Sequence, residues 1–326
     1  MVERAQAEKT MPPHIDRKPH RVRVRIPASS ANLGPGFDVL GLALKLYNVA
    51  EFEERGEGLD LSVHGEGAAF LGPQGAQNLT IRAAEATFAE IGHRHRGLRV
   101  LLRNAIPIAR GLGSSGTAIL AGILGAAALA NARLSDDEVL ALAMRFEAHV
   151  DNFTASYYGG CTAAIAENGR VRSVQVPFPR ALRAVVLVPE MEVSTAEARR
   201  ILPSEVPFRD AVFNTTRVGL LVAAMAAGNL SVMREALYDR LHQPYRAKLI
   251  RGLEEVIEEG RRAGAVGCCL SGAGSSLIAF ATDRAEGIGR RMQRLWRDGF
   301  GIAAAVKVLG IDRSGARVTV SGRPGR

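Results

Sequence analysis

Pro107-Ile108-Ala109-Arg110-Gly111-Leu112-Gly113-Ser114-Ser115-Gly116-Thr117 stands directly before an Ala/Leu/Ile-rich run that continues to Asn131. Glycines let backbone amides close in on an anion, and a helix N-terminus offers unpaired N–H groups and the positive end of its dipole. Ser114, Ser115 and Thr117 add hydroxyls. The segment is suited to holding phosphates; a tight turn ahead of a core helix is the other reading of the same residues. Gly111 to Gly116 also matches GxGxxG, with Asp136 twenty residues past the last glycine, as in a dinucleotide fingerprint. That reading fails, because Pro107 to Arg110 separate the first glycine from the preceding strand and Asp136 falls inside a capping box. The chain has no Gly-Lys dipeptide, which excludes a P-loop, and neither His-Arg-Asp nor Asp-Phe-Gly, which excludes the protein-kinase set.

Outward from this loop, the run to Asn131 is apolar nearly all round and predicts a central core helix. Ser135-Asp-Asp-Glu138 predicts a capped helix start, with the helix reaching about His149. Upstream, Val22, Val24 and Ile26 alternate with arginines as a strand that ends at Pro27. Residues 28–38 then read as an irregular loop beside a ligand. Strands are expected over about 47–64 with a turn at Gly56-Glu-Gly58, a helix over 78–91 and a strand over 98–102. Downstream, Ala184 to Val188 reads as a strand. Helices follow over about 214–227, 231–241, 246–263 and 284–297, mixed with strands over 268–270, 276–280 and 303–309. This order predicts an α+β protein. The proline pair Pro177 and Pro179 marks the expected boundary: a basic tail over 1–20, an N-terminal domain over 21–177, a C-terminal domain over 178–310 and a second tail over 311–326.

Composition narrows the class. The 326 residues suffice for about two domains, and 47% hydrophobic with 23% charged residues is a globular balance. The longest apolar run, Ala118 to Ala130, is broken by Gly122 and Gly125 and is too short to span a bilayer. The first twenty residues lack an apolar signal core, so the cytosol is the expected compartment. A net charge of +9 invites nucleic acid or anionic small molecules as partners. Aromatic residues make up only 5%, too few to supply stacking platforms. Cys161, Cys268 and Cys269 have neither disulfide nor zinc spacing and are expected as buried thiols.

Three segments occur in order: Pro27-Ala-Ser-Ser-Ala-Asn-Leu-Gly-Pro-Gly-Phe-Asp38, Pro107 to Thr117, and Leu270-Ser-Gly-Ala-Gly-Ser-Ser276. Together they resemble the three motifs of the GHMP small-molecule kinases. Glu147-Ala-His-Val-Asp-Asn152, Thr195-Ala-Glu-Ala-Arg199 and His242-Gln-Pro-Tyr-Arg246 narrow the resemblance to the homoserine kinase branch, over about 22–310. The resemblance implies two domains, the first with a left-handed βαβ crossover and the second ferredoxin-like, with the active site between them. It further implies transfer of the ATP γ-phosphoryl group to the hydroxyl of L-homoserine, in threonine biosynthesis. ATP and Mg²⁺ are the implied cofactors, with no nucleic acid and no membrane as partners and a homodimer as one assembly to test.

By that resemblance the phosphate loop wraps ATP, Ser115 and Glu147 hold Mg²⁺, and Asn78 lies near adenine. Oxygen donors suit a hard cation; a plain helix cap for Asn78 and a solvated helix residue for Glu147 are the other readings. Arg199 and Arg246 match the carboxylate-binding positions, Asn32 and Asp38 the amino-group side, Asn152 the hydroxyl contact, and Ser271 and Gly272 fall in the third motif. Asp151 is a candidate proton acceptor and Arg110 a candidate neutraliser of the transferring group, while His149 reads as a hydrogen-bonded loop histidine. Two departures stand out: Phe153-Thr-Ala155 where the family has Val-Ala-Pro, and Gly274-Ser-Ser276 where it has Gly-Pro-Thr. Rival readings are a kinase for another small alcohol such as mevalonate, a catalytically silent binding protein and a nucleic-acid binder.

Overall fold

The computed structural model describes residues 21–321. Its strands are β1 (Arg21–Ala31), β2 (Leu40–Glu54), β3 (Gly58–Gly65), β4 (Gly97–Asn104), β5 (Cys161–Glu167), β6 (Arg170–Val176), β7 (Arg183–Pro189), β8 (Gly267–Leu270), β9 (Leu277–Ala281), β10 (Ala304–Leu309) and β11 (Arg317–Ser321). The first sheet runs β11-β1-β2-β4-β3, and β5 extends it from the other half of β2 toward β6. The long β2 makes this possible: Val49 to Glu54 pair with β4, whereas Leu40 to Leu42 pair with β5. Helices α1 (Ala68–Leu71), α2 (Leu79–Glu90), α3 (Ser114–Leu129), α4 (Asp136–Met144) and α5 (Val150–Tyr158) accompany this sheet. The alternating Val22, Val24 and Ile26 of β1 point into a core shared with α2 to α5. At its centre α3 is buried at thirteen of sixteen positions, so its N-terminus is rigidly held.

The second sheet runs β10-β7-β9-β8, antiparallel throughout. Counted from β7, that is the 4-1-3-2 order of a ferredoxin-like unit. Between β7 and β8 lie α6 (Thr195–Arg200), α7 (Phe208–Ala227), α8 (Leu230–Ala236), α9 (Gln243–Arg246) and α10 (Leu253–Arg262); α11 (Ala285–Phe300) joins β9 to β10. Strand β7 is apolar on both faces because both are covered. Val185 and Leu187 pack with α10 and α11, while Ala184, Val186 and Val188 join a middle core with α7, α8 and the start of β2. That middle core fastens the two sheets together and fixes the loops between them.

Several expectations require correction. Pro27 does not end the first strand: β1 continues to Ala31, and the register shifts between Pro27 and Ala28, where a residue without an N–H is tolerated. The turn expected at Gly56-Glu-Gly58 does separate β2 from β3, and β3 pairs parallel to β4, which follows it through α1 and α2. The capping box at Ser135 is present, yet its helix stops at Met144, which leaves Glu147 in the connection to α5. The β5–β6 hairpin was not foreseen, although Asn168-Gly169, both at positive φ, is its turn signal. Within the described residues, the segment 311–321 is no tail. Ile311 and Asp312 are buried, Tyr47 Oη donates to Asp312 Oδ2 at 2.9 Å, and β11 pairs with β1. The tail proposed for 1–20 lies outside the described residues. The three cysteines are free and buried, as expected. Among the described residues no helix is long and apolar enough to cross a membrane.

Candidate active site

One cavity of about 390 Å³ brings together the loop after β1, the segment before α3, the turn before α5, α6, α9 and the turn after β8. One end is apolar, with Val49, Ala50, Leu79 and Leu102 in its wall beside Asn48 and Asn78. The other carries Asn32, Asp38, Asp151, Asn152, Arg199 and Arg246. The 107–117 segment lies along the cavity, and every one of its residues contributes to the wall.

The shape of this segment follows from its glycines. Gly111 and Gly113 have φ of 69° and 71°, and Gly113 caps α3 in the left-handed conformation. At Gly111 a Cβ would lie 2.0 Å from the Ser271 carbonyl oxygen, so only glycine lets the second and third motifs touch. The contact is sealed by Ser271 Oγ, which bonds the Gly111 carbonyl at 2.7 Å and Ser30 Oγ at 2.8 Å. From behind, Asn48 Oδ1 accepts the amides of Ala105 and Ile106, and its Nδ2 donates to Thr117 Oγ1 at 3.0 Å. Sequence reasoning missed Ser30 and Asn48. An uncharged polar residue inside the apolar β2 pattern was the available signal for Asn48.

At the polar end Arg199 grips Asp38 with both terminal nitrogens, one of them at 2.7 Å. Its Nη2 also donates to His149 Nδ1 at 3.0 Å, and its Nε is buried without a partner. Asn32 Oδ1 accepts the Asp38 amide, and Asn32 Nδ2 donates to the Gly272 carbonyl. The same carbonyl accepts from Arg246 Nη1 at 3.0 Å. Arg246, only 1% exposed, also donates to the Ala198 carbonyl and to His242 Nδ1. Burial, and then the neighbouring Arg199, lower its pKa to about 10, which leaves it charged at neutral pH. His242 is buried and pushed below the ordinary histidine range by desolvation. A neutral ring with its proton on Nε2 fits both the 2.8 Å contact to the Gly34 carbonyl and the Arg246 donation to Nδ1. Phe37 stacks on His242 and lies beneath both guanidinium groups, 4.7 and 5.3 Å from its ring centroid. Neither Phe37 nor His242 was singled out from the sequence.

Asp151 is buried in the first turn of α5. Desolvation, then the charge of Asp38, raise its pKa to about 7 against the amide bond from Asn152. Asn152 Oδ1 accepts from Ser29 Oγ at 3.0 Å, which fixes the amide. Ser115 and Glu147 both line the cavity.

Three proposed site residues have hydrogen-bond partners of their own within the protein. Arg110 lines the cavity and ties loops together there: its three nitrogens donate to the Pro189, Ile108 and Glu190 carbonyls, with Glu192 at 3.1 Å. Ser271 is fully buried in the junction between motifs and does not face the cavity; its neighbour Gly272 does. Asn78 caps α2, its side-chain oxygen on the Thr80 amide and its nitrogen on the Leu71 carbonyl, and it also lines the cavity. Neither departure from the family pattern lines the cavity. Phe153 to Ala155 are buried beneath it, and Ser275 Oγ and the Ser276 amide bond to Met191 and Arg110 carbonyls.

Family models for the GHMP kinase N-terminal domain and C-terminal domain match residues 78–160 and 221–298. The chain is 39% identical over 299 residues to the homoserine kinase of Persephonella marina, covering 92% of this chain and 98% of that protein. With the homoserine kinase of Synechococcus sp. (strain WH7803) it shares 42% identity over 301 residues, 90% and 95% of the two chains. The chain belongs to the homoserine kinase family of GHMP kinases. A crystal structure of a family member, homoserine kinase from Cytophaga hutchinsonii, superposes with a TM-score of 0.84 at 28% identity, over 94% of this chain and 99% of that one. The two-domain GHMP kinase fold is thereby established for the whole described length.

Proposed function

We propose that this chain is an ATP-dependent homoserine kinase that phosphorylates the side-chain hydroxyl of L-homoserine to give O-phospho-L-homoserine, a cytosolic step of threonine biosynthesis. The observation that carries the reading is one cavity with a phosphate-type helix N-terminus along its wall and an Arg199–Asp38–Arg246 cluster at its end. Homoserine is a zwitterion with a hydroxyl tail. Its carboxylate suits the two guanidinium groups and its ammonium suits Asp38, so substrate replaces an internal ion pair with matched ones and leaves the net charge of the site unchanged. The unpaired Arg199 Nε is consistent with a missing anionic partner. The apolar end beside Leu79 and Leu102 is suited to adenine, and the loop amides and first turn of α3 to the phosphates.

Ser115 and Glu147 are the proposed Mg²⁺ ligands; one hydroxyl and one carboxylate fit an ion that keeps waters and phosphate oxygens. When bound, the ion screens charge on the β- and γ-phosphates. In the reaction the homoserine hydroxyl oxygen forms a bond to the γ-phosphorus as the bond to the β,γ-bridging oxygen breaks, and the hydroxyl proton goes to Asp151. Asn152, fixed by Ser29, orients the hydroxyl. This demands mainly alignment and charge stabilisation, which a rigid α3 and a prearranged arginine pair provide.

A proton-accepting Asp151 with a pKa of about 7 gives a testable pH profile. Turnover should fall as pH drops through about 7, and Asp151→Asn should lower kcat by about a hundredfold and erase that limb. Stability should respond in the opposite sense. The folded-state pKa lies above the ordinary aspartate value, so the stabilisation present below pH 4 or so is lost as pH rises toward about 7. Asp151→Asn should therefore raise Tm at pH 8 while lowering kcat; a variant that loses both activity and stability would count against the assignment. The function itself is tested by mass spectrometry of the product from ATP and L-homoserine. O-phospho-L-homoserine is expected, and ADP without a phosphorylated amino acid would refute the reading.

A further inference from the structure

From Pro189, the last residue of β7, to Val193, each successive residue is tied to another part of the site. Arg110 Nε donates to the Pro189 carbonyl at 2.9 Å and its Nη2 to the Glu190 carbonyl at 2.6 Å. Ser275 Oγ donates to the Met191 carbonyl at 2.5 Å, the Glu192 carboxylate lies 3.1 Å from Arg110 Nη1, and the Val193 amide donates to the Ala109 carbonyl at 3.3 Å. This strap, 189–193, is fastened to the phosphate loop at Ala109 and Arg110 and to the turn after β8 at Ser275. Arg110 Nη1 also donates to the Ile108 carbonyl at 3.1 Å, so one guanidinium clips its own loop to the strap. The Ser276 amide donates to the Arg110 carbonyl, and loop, strap and turn hold one another.

The strap runs directly into α6. Ser194 caps that helix, its hydroxyl accepting the Glu197 amide at 3.1 Å, and Val193 and Ala198 join the same core as α10 and α11. Because α6 has only six residues and Ala198 is its one buried position, its place is set by the strap before it more than by packing of its own. Both acceptor arginines depend on that place. Arg199 projects from α6 onto Asp38, and the Ala198 carbonyl accepts from Arg246 Nε at 3.2 Å. The segment therefore joins the two ends of the cavity: the phosphate loop holds its first half, and the acceptor arginines are fixed on its second.

We infer that Arg110 is a positioning residue that couples the two ligands: by clipping residues 189 and 190 to the phosphate loop, it makes binding of nucleotide and of acceptor mutually favourable. The inference rests on the proposed function in placing ATP on 107–117 and the acceptor carboxylate on Arg199 and Arg246. Two arrangements are open to α6, with Arg199 on Asp38 as seen here or on a substrate carboxylate, and whatever steadies the strap biases that choice. Phosphates settling on the loop steady residues 108–110 and with them the strap. By linkage, an acceptor that fixes α6 raises nucleotide affinity by the same factor. The carbonyl bonds carry this coupling, not the charge. The Glu192 side chain is 67% exposed, so its ion pair with Arg110 is screened and worth little. The Arg110 side chain is only 14% exposed, and its fork meets three carbonyls at once.

Isothermal titration calorimetry of the full chain with L-homoserine tests it, without and with saturating Mg²⁺ and adenylyl imidodiphosphate, a non-hydrolysable ATP analogue. The readout is the ratio of the two homoserine dissociation constants, in which a uniform loss of affinity cancels. For the wild type the ratio should be about tenfold, and the same factor should appear when the analogue is titrated without and with homoserine. Arg110→Lys keeps the charge but cannot span three carbonyls, and should bring the ratio to about twofold or below. Ser275→Ala, which releases the Met191 carbonyl outside the cavity wall, should lower the ratio in part. A tie with a purely structural role would lower Tm in these variants and leave the ratio unchanged. That result would overturn the inference, as would a wild type that binds the two ligands independently. A wild type that binds the analogue but no homoserine in either condition would instead refute the proposed acceptor, and the coupling with it.

Discussion

Arg246→Ala should lower kcat/KM for L-homoserine by about 100- to 1,000-fold and leave the KM for ATP within about twofold. The guanidinium is set before substrate arrives: the Ala198 and Gly272 carbonyls and a neutral His242 Nδ1 fix its plane, and Phe37 lies beneath it. Among the described residues its Nη2 makes no hydrogen bond, which leaves a donor for the substrate carboxylate. Removing one partner of a buried, hydrogen-bonded charge pair costs about 3–4 kcal/mol. Arg246→Lys should recover little, because a point charge cannot satisfy the same three acceptors and still present a donor. The contrast between the two KM values separates substrate recognition from general damage to the fold. An unchanged KM for homoserine would remove Arg246 from the acceptor site.

Gly111→Ala should reduce ATP-dependent turnover by more than about a hundredfold through the nucleotide side. A side chain at φ 69° is strained, and its Cβ would stand 2.0 Å from the Ser271 carbonyl oxygen. A backbone oxygen has no rotamer in which to escape, so the phosphate loop and the turn after β8 must part, breaking the Ser271 bonds to Gly111 and Ser30. The expected signature is loss of ATP affinity with homoserine binding less affected, the reverse of Arg246→Ala. Equilibrium titration with ATP and with homoserine, each alone, reads the two effects separately.

The contrast between these sites shows what the sequence could and could not reveal. The phosphate loop was legible because its function is written in consecutive residues: glycines where φ must be positive, hydroxyls at a helix start, and an apolar helix behind. Core strands such as β7 and capped helices such as α4 were legible from period and caps. The acceptor end was legible only through resemblance, since Asp38, Arg199 and Arg246 are far apart in the chain and meet through the middle core. Adjacency in sequence also did not reveal how each side chain is held. Arg110 borders the phosphate loop yet spends its donors on carbonyls near the end of β7, and Ser271 lies within a motif yet faces its neighbours. Asn48 and His242 support the site from behind, through bonds to groups 57 and 208 positions away in sequence, which no local pattern records. The C-terminal strand was missed for a related reason: Arg317 to Ser321 is short and half polar, and becomes a strand only by pairing with β1.

The central claim is that the polar end of the cavity selects an amino-acid zwitterion with a hydroxyl tail. Initial-rate measurement of ADP release from Mg·ATP with L-homoserine, L-serine, mevalonate or no acceptor tests it most directly. The account predicts turnover with L-homoserine, far weaker turnover with L-serine, whose hydroxyl is one carbon short of the phosphoryl group, and none with mevalonate, which lacks an ammonium for Asp38. Preference for mevalonate, or equal rates with and without any acceptor, would contradict it.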